Sequence, residues 1–159
     1  MRWIRFAVLV GLATIAQAGF LSNYILKPDL HIILLVFFAV YSSTTDAIIT
    51  SFTLGFAADL IGQSMGTQMI CFGILGTSIA YLNRVIALRK VPYQIIAIFA
   101  VTLIAGFCAN TLNSMKNVST ITYSSIMKTA IYSAIVGPFI FIPCIWWMRI
   151  KTPHHHRRF

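Results

Sequence analysis

Acidic residues are nearly missing from this chain. Its 159 residues hold no glutamate and three aspartates, Asp29, Asp46 and Asp59, against twelve lysines and arginines, which gives a formal charge of +9. Without glutamate no H-E-x-x-H metal-binding helix can be written, and no G-x-S-x-G elbow or Walker lysine loop appears either. Gly55-Phe56-Ala57-Ala58-Asp59 lacks the G-x-G-D pattern of an intramembrane aspartyl protease. Histidine is confined to His31 and the terminal run His154, His155, His156, whose tail offers no further ligands. No metal site, cofactor or catalytic group is therefore expected. The three cysteines, Cys71, Cys108 and Cys144, lie inside apolar segments without C-x-x-C or Cys/His spacing, so they read as small reduced core residues.

Charge of either sign is also scarce. Charged residues make up 9% of the chain, where a soluble domain carries about 25%. The hydrophobic fraction is 58% and the mean hydropathy +0.85, which is the composition of an integral membrane protein. The basic residues sit in small groups between apolar segments, as membrane-flanking charge does, so nucleic acid is not an expected partner. Asn117-Val118-Ser119 fits a glycosylation sequon, a pattern short enough to arise by chance.

Six apolar segments can be drawn: Trp3 to Leu26, Leu30 to Tyr41, Ala47 to Ile61, Thr67 to Leu82, Val91 to Leu112 and Ile126 to Met148. The second and third are short for a bilayer core of roughly 30 Å, and Ser42 to Asp46 could be a kink in one long helix. Charge placement separates the two arrangements. With six spans, the inner side holds Arg2, Arg5, Arg84, Arg89, Lys90, Arg149, Lys151, Arg157 and Arg158, and the outer side only Lys27, Lys116 and Lys128. Five spans would invert this bias, so the positive-inside rule favours six, with both termini cytoplasmic. Trp3, Trp146 and Trp147 then fall at the cytoplasmic interface. The first 20 residues imitate a secretory signal ending in Ala16-Gln17-Ala18, but the apolar stretch runs past the length of a signal core, and an uncleaved first helix is expected. Residues 1–152 form one membrane domain and 153–159 a basic, histidine-rich tail. Pro138 and Pro143 are expected to kink the last helix.

One acidic residue lies in an otherwise apolar run. On a helix turning about 100° per residue, Gly55, Asp59, Gly62 and Gly66 stay within about 60° of one another, and Ser51 extends the stripe. Small residues let a second helix approach closely in a membrane. Two readings stand: Asp59 is a hydrated acid near the outer interface, or it anchors a partner or a neighbouring helix. Lys27-Pro28-Asp29 opens the second segment on the same side, with Pro28 suited to a first helical turn and Asp29 to the positive end of the helix dipole. An antiparallel hairpin of the second and third segments would bring Asp29 and Asp59 into one leaflet. Asp46 reads as an N-cap or first-turn acid.

The stretches KPDLHIILLVFFAVY and ITSFTLGFAADLIGQSMG, behind a basic N-terminus and apolar first helix, resemble the bacterial MreD family of rod shape-determining membrane proteins. Its best-marked region is a P-D pair followed by G-x-x-x-D-x-x-G-x-x-x-G, here Pro28-Asp29, then Gly55, Asp59, Gly62 and Gly66. The linker Ser42 to Asp46 lacks the basic residues many relatives carry there. The resemblance implies a non-enzymatic inner-membrane subunit of the rod complex, the elongasome. Such a subunit binds MreC and helps couple MreB to peptidoglycan synthesis by RodA and a class B penicillin-binding transpeptidase. It also implies an all-α fold similar to the S-components of energy-coupling-factor transporters, which makes a vitamin-binding transporter subunit the rival reading.

Overall fold

A computed structural model of the chain describes residues 3–19, 28–62, 66–85, 91–115 and 122–148. Its regular structure is six helices: α1 (Trp3–Ala18), α2 (Leu30–Tyr41), α3 (Thr44–Ile61), α4 (Thr67–Val85), α5 (Val91–Met115) and α6 (Tyr123–Met148), with no strand among the described residues. By length and composition α5 and α6 are long and apolar enough to cross a bilayer. Their 25 and 26 residues reach about 38 Å at about 1.5 Å per residue. The helix of α6 continues through both Pro138 and Pro143.

Two expected boundaries shift. The third segment is not short, because Ser43 caps α3 by accepting from the Asp46 N–H at 3.2 Å and so draws Thr44 to Asp46 into its first turn, giving 18 residues. Asp46 is thus a first-turn acid and Ser43 the cap. The first helix is shorter than expected, 16 residues ending at Ala18; residues 20–27, Lys27 included, lie outside the described residues.

The break at Ser42 and Ser43 is a reversal of direction. A side chain at Gly76 of α4 would touch both Ser51 of α3 and Leu35 of α2, while Asn83 of α4 donates to the Val40 carbonyl at 2.9 Å. Helices α2 and α4 therefore run parallel. Asp59 lies beside Gln68, so α3 runs against both. Phe6 meets Phe38 at 5.0 Å between ring centroids and Thr14 reaches His31 at 3.3 Å, so α1 opposes α2. Ser133 meets Asp29 and Phe141 meets Phe37, which sets α6 parallel to α2. Helix α5 opposes α6, with Gly106 against Ile126 and Ile98 against Gly137. Successive helices thus alternate. One end of the bundle gathers Arg5, Tyr41, Asn83, Gln94 and Trp147, with Arg5 donating to the Trp147 carbonyl at 3.2 Å and Gln94 to the Tyr41 hydroxyl at 3.0 Å. The other end gathers Gln17, Asp29, Asp59 and Gln68.

Helix α2 is the axis around which the rest packs. Every residue from His31 to Val40 is buried, and all five other helices touch it. Its apolar side chains leave no polar face, and a helix apolar all round belongs inside. Phe37 and Phe38 meet edge-on at 5.2 Å, and Phe37 continues to Phe141 at 5.4 Å, geometry favoured by the ring quadrupoles. The outward faces carry large apolar side chains such as Ile74, Phe139 and Trp146. Cys71 and Cys144 are buried, but Cys108 faces outward on α5, contrary to the core position expected for it. Of the basic residues weighed for orientation, Arg5, Arg84 and Lys128 fall on α1, α4 and α6; the others lie outside the described residues, as does the His154 to His156 tail.

Candidate functional site

The start of α2 lies inside the bundle, with Pro28 and His31 buried and Asp29 and Leu30 half-buried, so its free backbone donors have little access to water. Each has an acceptor. The Asp29 carboxylate accepts from the His31 and Ile32 N–H groups at 3.1 and 3.3 Å. Ser133 of α6 accepts from the Asp29 N–H at 2.9 Å, and Gln17 of α1 from the Leu30 N–H at 3.2 Å. The next donor, Ile33 N–H, closes the first helical bond onto the Asp29 carbonyl. Asp29 is the N-cap itself, and Pro28 stands one position before it, outside the helix; the first-turn place expected for Pro28 belongs to Leu30. Pro28 is buried and has no N–H to satisfy there. Ser133 and Gln17 were not singled out by sequence. Their only signal is a polar side chain within an apolar run.

At the same end, Asp59 caps a helix that is not its own. Its Oδ1 accepts from the Gln68 N–H at 3.0 Å and its Oδ2 from the Met69 N–H at 2.9 Å, both in the first turn of α4. The reason lies one position upstream. Gly66, at φ +83°, provides the carbonyl that accepts from Ile70 N–H at 3.2 Å, but it has no side chain to cap with. The carboxylate from α3 supplies the missing acceptor and places a negative charge at the positive end of the α4 dipole.

Close approach makes this bond reachable. A Cβ on Gly55 would stand 2.6 Å from the Met69 Cα and 2.8 Å from the Gln68 carbonyl oxygen, distances a real side chain cannot hold. One turn back, the Ser51 side chain occupies the space a Cβ on Gly76 would need, while its hydroxyl donates to the Ala47 carbonyl at 2.6 Å. Ser51, Gly55 and Asp59 thus share one face of α3, and that face is filled by the chain's own α4. The stripe stops there. Helix α3 ends at Ile61, so Gly62 and Gly66 do not extend it as the spacing predicts. Gly62 is the exposed C-cap, its N–H donating to the Ala58 carbonyl at 3.0 Å, and Gly66 belongs to the turn before α4.

Beside the Asp29 cap sits His31, 2% exposed. Thr14 donates to the Val10 carbonyl at 2.8 Å, so the 3.3 Å contact from His31 Nε2 to the Thr14 oxygen is read as a bond donated by the imidazole. His31 Nδ1 then faces Asp29 Oδ1 at 4.0 Å. Among the described residues no group of three or more His, Cys, Asp or Glu is gathered that could hold a metal ion. What the two carboxylates do in this geometry is bind backbone: each closes the N-terminus of one of two parallel helices.

No curated protein and no solved structure matches the chain. A family model described as rod shape-determining protein MreD matches residues 1–151. With nearly the whole chain covered, including both capping carboxylates, this protein belongs to the MreD family of rod shape-determining membrane proteins.

Proposed function

We propose that the protein is a non-enzymatic scaffold of the rod complex that binds MreC and helps couple MreB to RodA and its class B transpeptidase. Family membership over residues 1–151 carries this reading. The α3–α4 hairpin is the proposed contact region, with Ser51, Gly55, Asp59, Gly62 and Gly66 shaping it and Pro28 and Asp29 closing α2 at the same end. Because Ser51, Gly55 and Asp59 are engaged by α4, their role is to fix the hairpin. The outer face of α3 carries Phe52, Phe56 and Leu60, spaced by four and exposed by 39, 55 and 70%. Such a strip suits the membrane segment of a single-span partner. In this reading the Asp29 and Asp59 end faces the periplasm of the inner membrane, and both termini are cytoplasmic.

Co-purification with MreC from membranes decides between contact and support. Phe56→Ala and Leu60→Ala should lower MreC recovery without changing the unfolding temperature. Asp59→Leu should lower both together. Full recovery of MreC and normal rods with all three variants would remove the site assignment.

A vitamin-binding subunit with an S-component-like fold is the second reading. It needs a chamber for a whole vitamin, and small-molecule sites run at roughly 300–1,000 Å³. The cavity described at the Asp29 end holds about 170 Å³, too little for a whole vitamin.

A further inference from the structure

The Asp29 end also contains a half-open cavity of about 170 Å³ between α1, α2, α4, α5 and α6. Its wall concentrates carboxamides: Gln17, Gln68, Asn110 and Asn113, beside the Asp29 carboxylate. Among the described residues that line it there is no lysine, arginine or histidine. Asn110 and Asn113 belong to α5, a helix apolar enough to span a bilayer. Three positions apart, they share one face of it, together with Thr102 and Gly106 lower on the same wall. Polar side chains in such a helix are costly toward lipid and gather where they line a cavity.

One atom in this wall is left over. Asn113 is 9% exposed, and its Oδ1 is buried without a hydrogen-bond partner, the one such side-chain atom among the described residues. Turning the amide would leave a nitrogen there instead, so the position lacks a partner in either orientation. Native proteins seldom leave such a group, and each instance asks for an explanation.

We propose that this cavity binds a small neutral hydroxyl-bearing group, a glycerol-like or polyol moiety, with Asn113 as its principal hydrogen-bond partner. The chemistry follows from the wall. Carboxamides offer a donor and an acceptor side by side, as hydroxyl groups do. The Asp29 carboxylate, whose Oδ1 accepts from the His31 and Ile32 N–H groups, adds negative charge to the wall, which disfavours phosphate and carboxylate ligands beside it. The volume would hold roughly six waters at about 30 Å³ each, which fits a fragment of about six to ten non-hydrogen atoms and no more. Two sources supply that chemistry: a free polyol, or the glycerol headgroup of phosphatidylglycerol with its phosphate left outside the mouth. The inference does not depend on MreC binding.

The test uses the full chain in phosphatidylcholine nanodiscs, whose headgroup has no hydroxyl or N–H donor. Unfolding is followed by tryptophan fluorescence after adding millimolar glycerol or erythritol, or after replacing part of the lipid with phosphatidylglycerol. Phosphatidic acid serves as the control for negative charge without a polyol. At about ten times Kd the unfolding temperature should rise by about 3–5 °C with a free polyol or with phosphatidylglycerol, and not with phosphatidic acid. A rise with the free polyols assigns a soluble ligand, and a rise with phosphatidylglycerol alone assigns the lipid. Asn113→Leu, which keeps the volume, and Ala109→Leu, which fills the cavity, should each remove most of the rise. Should Ala109→Leu fail to fold, Asn113→Leu decides alone. No rise with any polyol source, or a rise that survives Asn113→Leu, overturns the proposal. Neither outcome bears on MreC recovery, so this inference and the scaffold reading fail separately.

Discussion

The Asp59 carboxylate lies 2.9 Å from the backbone N–H of Met69, ten residues away and in another helix. It takes the Gln68 N–H as well, so one side chain closes the first turn of α4 from across a helix pair. Removing it strands two donors at a helix start near the apolar phase. Asp59→Leu should lower stability by about 1–3 kcal/mol, with Asp59→Asn, which keeps one acceptor, between it and the native protein. Thermal unfolding in detergent, read by tryptophan fluorescence, measures the order. Equal stability of all three would mean the cap contributes nothing.

The glycines of the same motif should differ sharply. Gly55 faces the Met69 backbone too closely to admit a Cβ, whereas Gly62 is exposed at φ −78° and ψ 149°, a conformation open to any residue. Gly55→Ala should push α3 and α4 apart and destabilise by about 1–3 kcal/mol; Gly62→Ala should stay within about 0.5 kcal/mol of the native protein. A reversed ranking would contradict the packing described here.

Around α2, the donors of one buried terminus are shared among Asp29, Ser133 and Gln17. Asp29→Ala should be the costliest of the three alanine changes, because it leaves both the His31 and Ile32 N–H groups unpaired, at about 1–3 kcal/mol for each stranded donor. Ser133→Ala leaves one. Asp29→Ser, which retains a capping oxygen, should recover part of the loss in the same unfolding assay.

Orientation can be read with single cysteines in a background where Cys71, Cys108 and Cys144 are replaced. Ser43 and Gly62 are exposed at opposite ends of α3. With the Asp59 end outside, Gly62→Cys should react with an impermeant maleimide on intact cells, and Ser43→Cys only after permeabilisation. The opposite pattern would invert the proposed topology.

Much of this site was legible as local chemistry. The P-D pair announces the start of α2, whereas hydropathy places the start of α3 too late, at Ala47, because the polar run that holds its cap, Ser43, lies before the apolar segment. The spacing of Ser51, Gly55 and Asp59 puts them on one face, because helical periodicity is a property of the chain alone. The same rule misleads beyond Ile61, where it projects a helix that has already ended. Gln17, Ser133 and Asn113 carry no pattern of their own, since a single polar residue in an apolar run does not say what it faces.

Composition, hydropathy and spacing determined six helices, their strongly apolar character and the helical face that carries Asp59, since these depend on neighbours along the chain. Only the tertiary structure decided what that face meets. The partner of Asp59 is the start of α4, reached across a turn because Gly66 has no capping side chain and Gly55 has no Cβ to hold the helices apart. The amide-lined cavity likewise exists only where several helix ends converge, a distance in space that no interval in the sequence encodes.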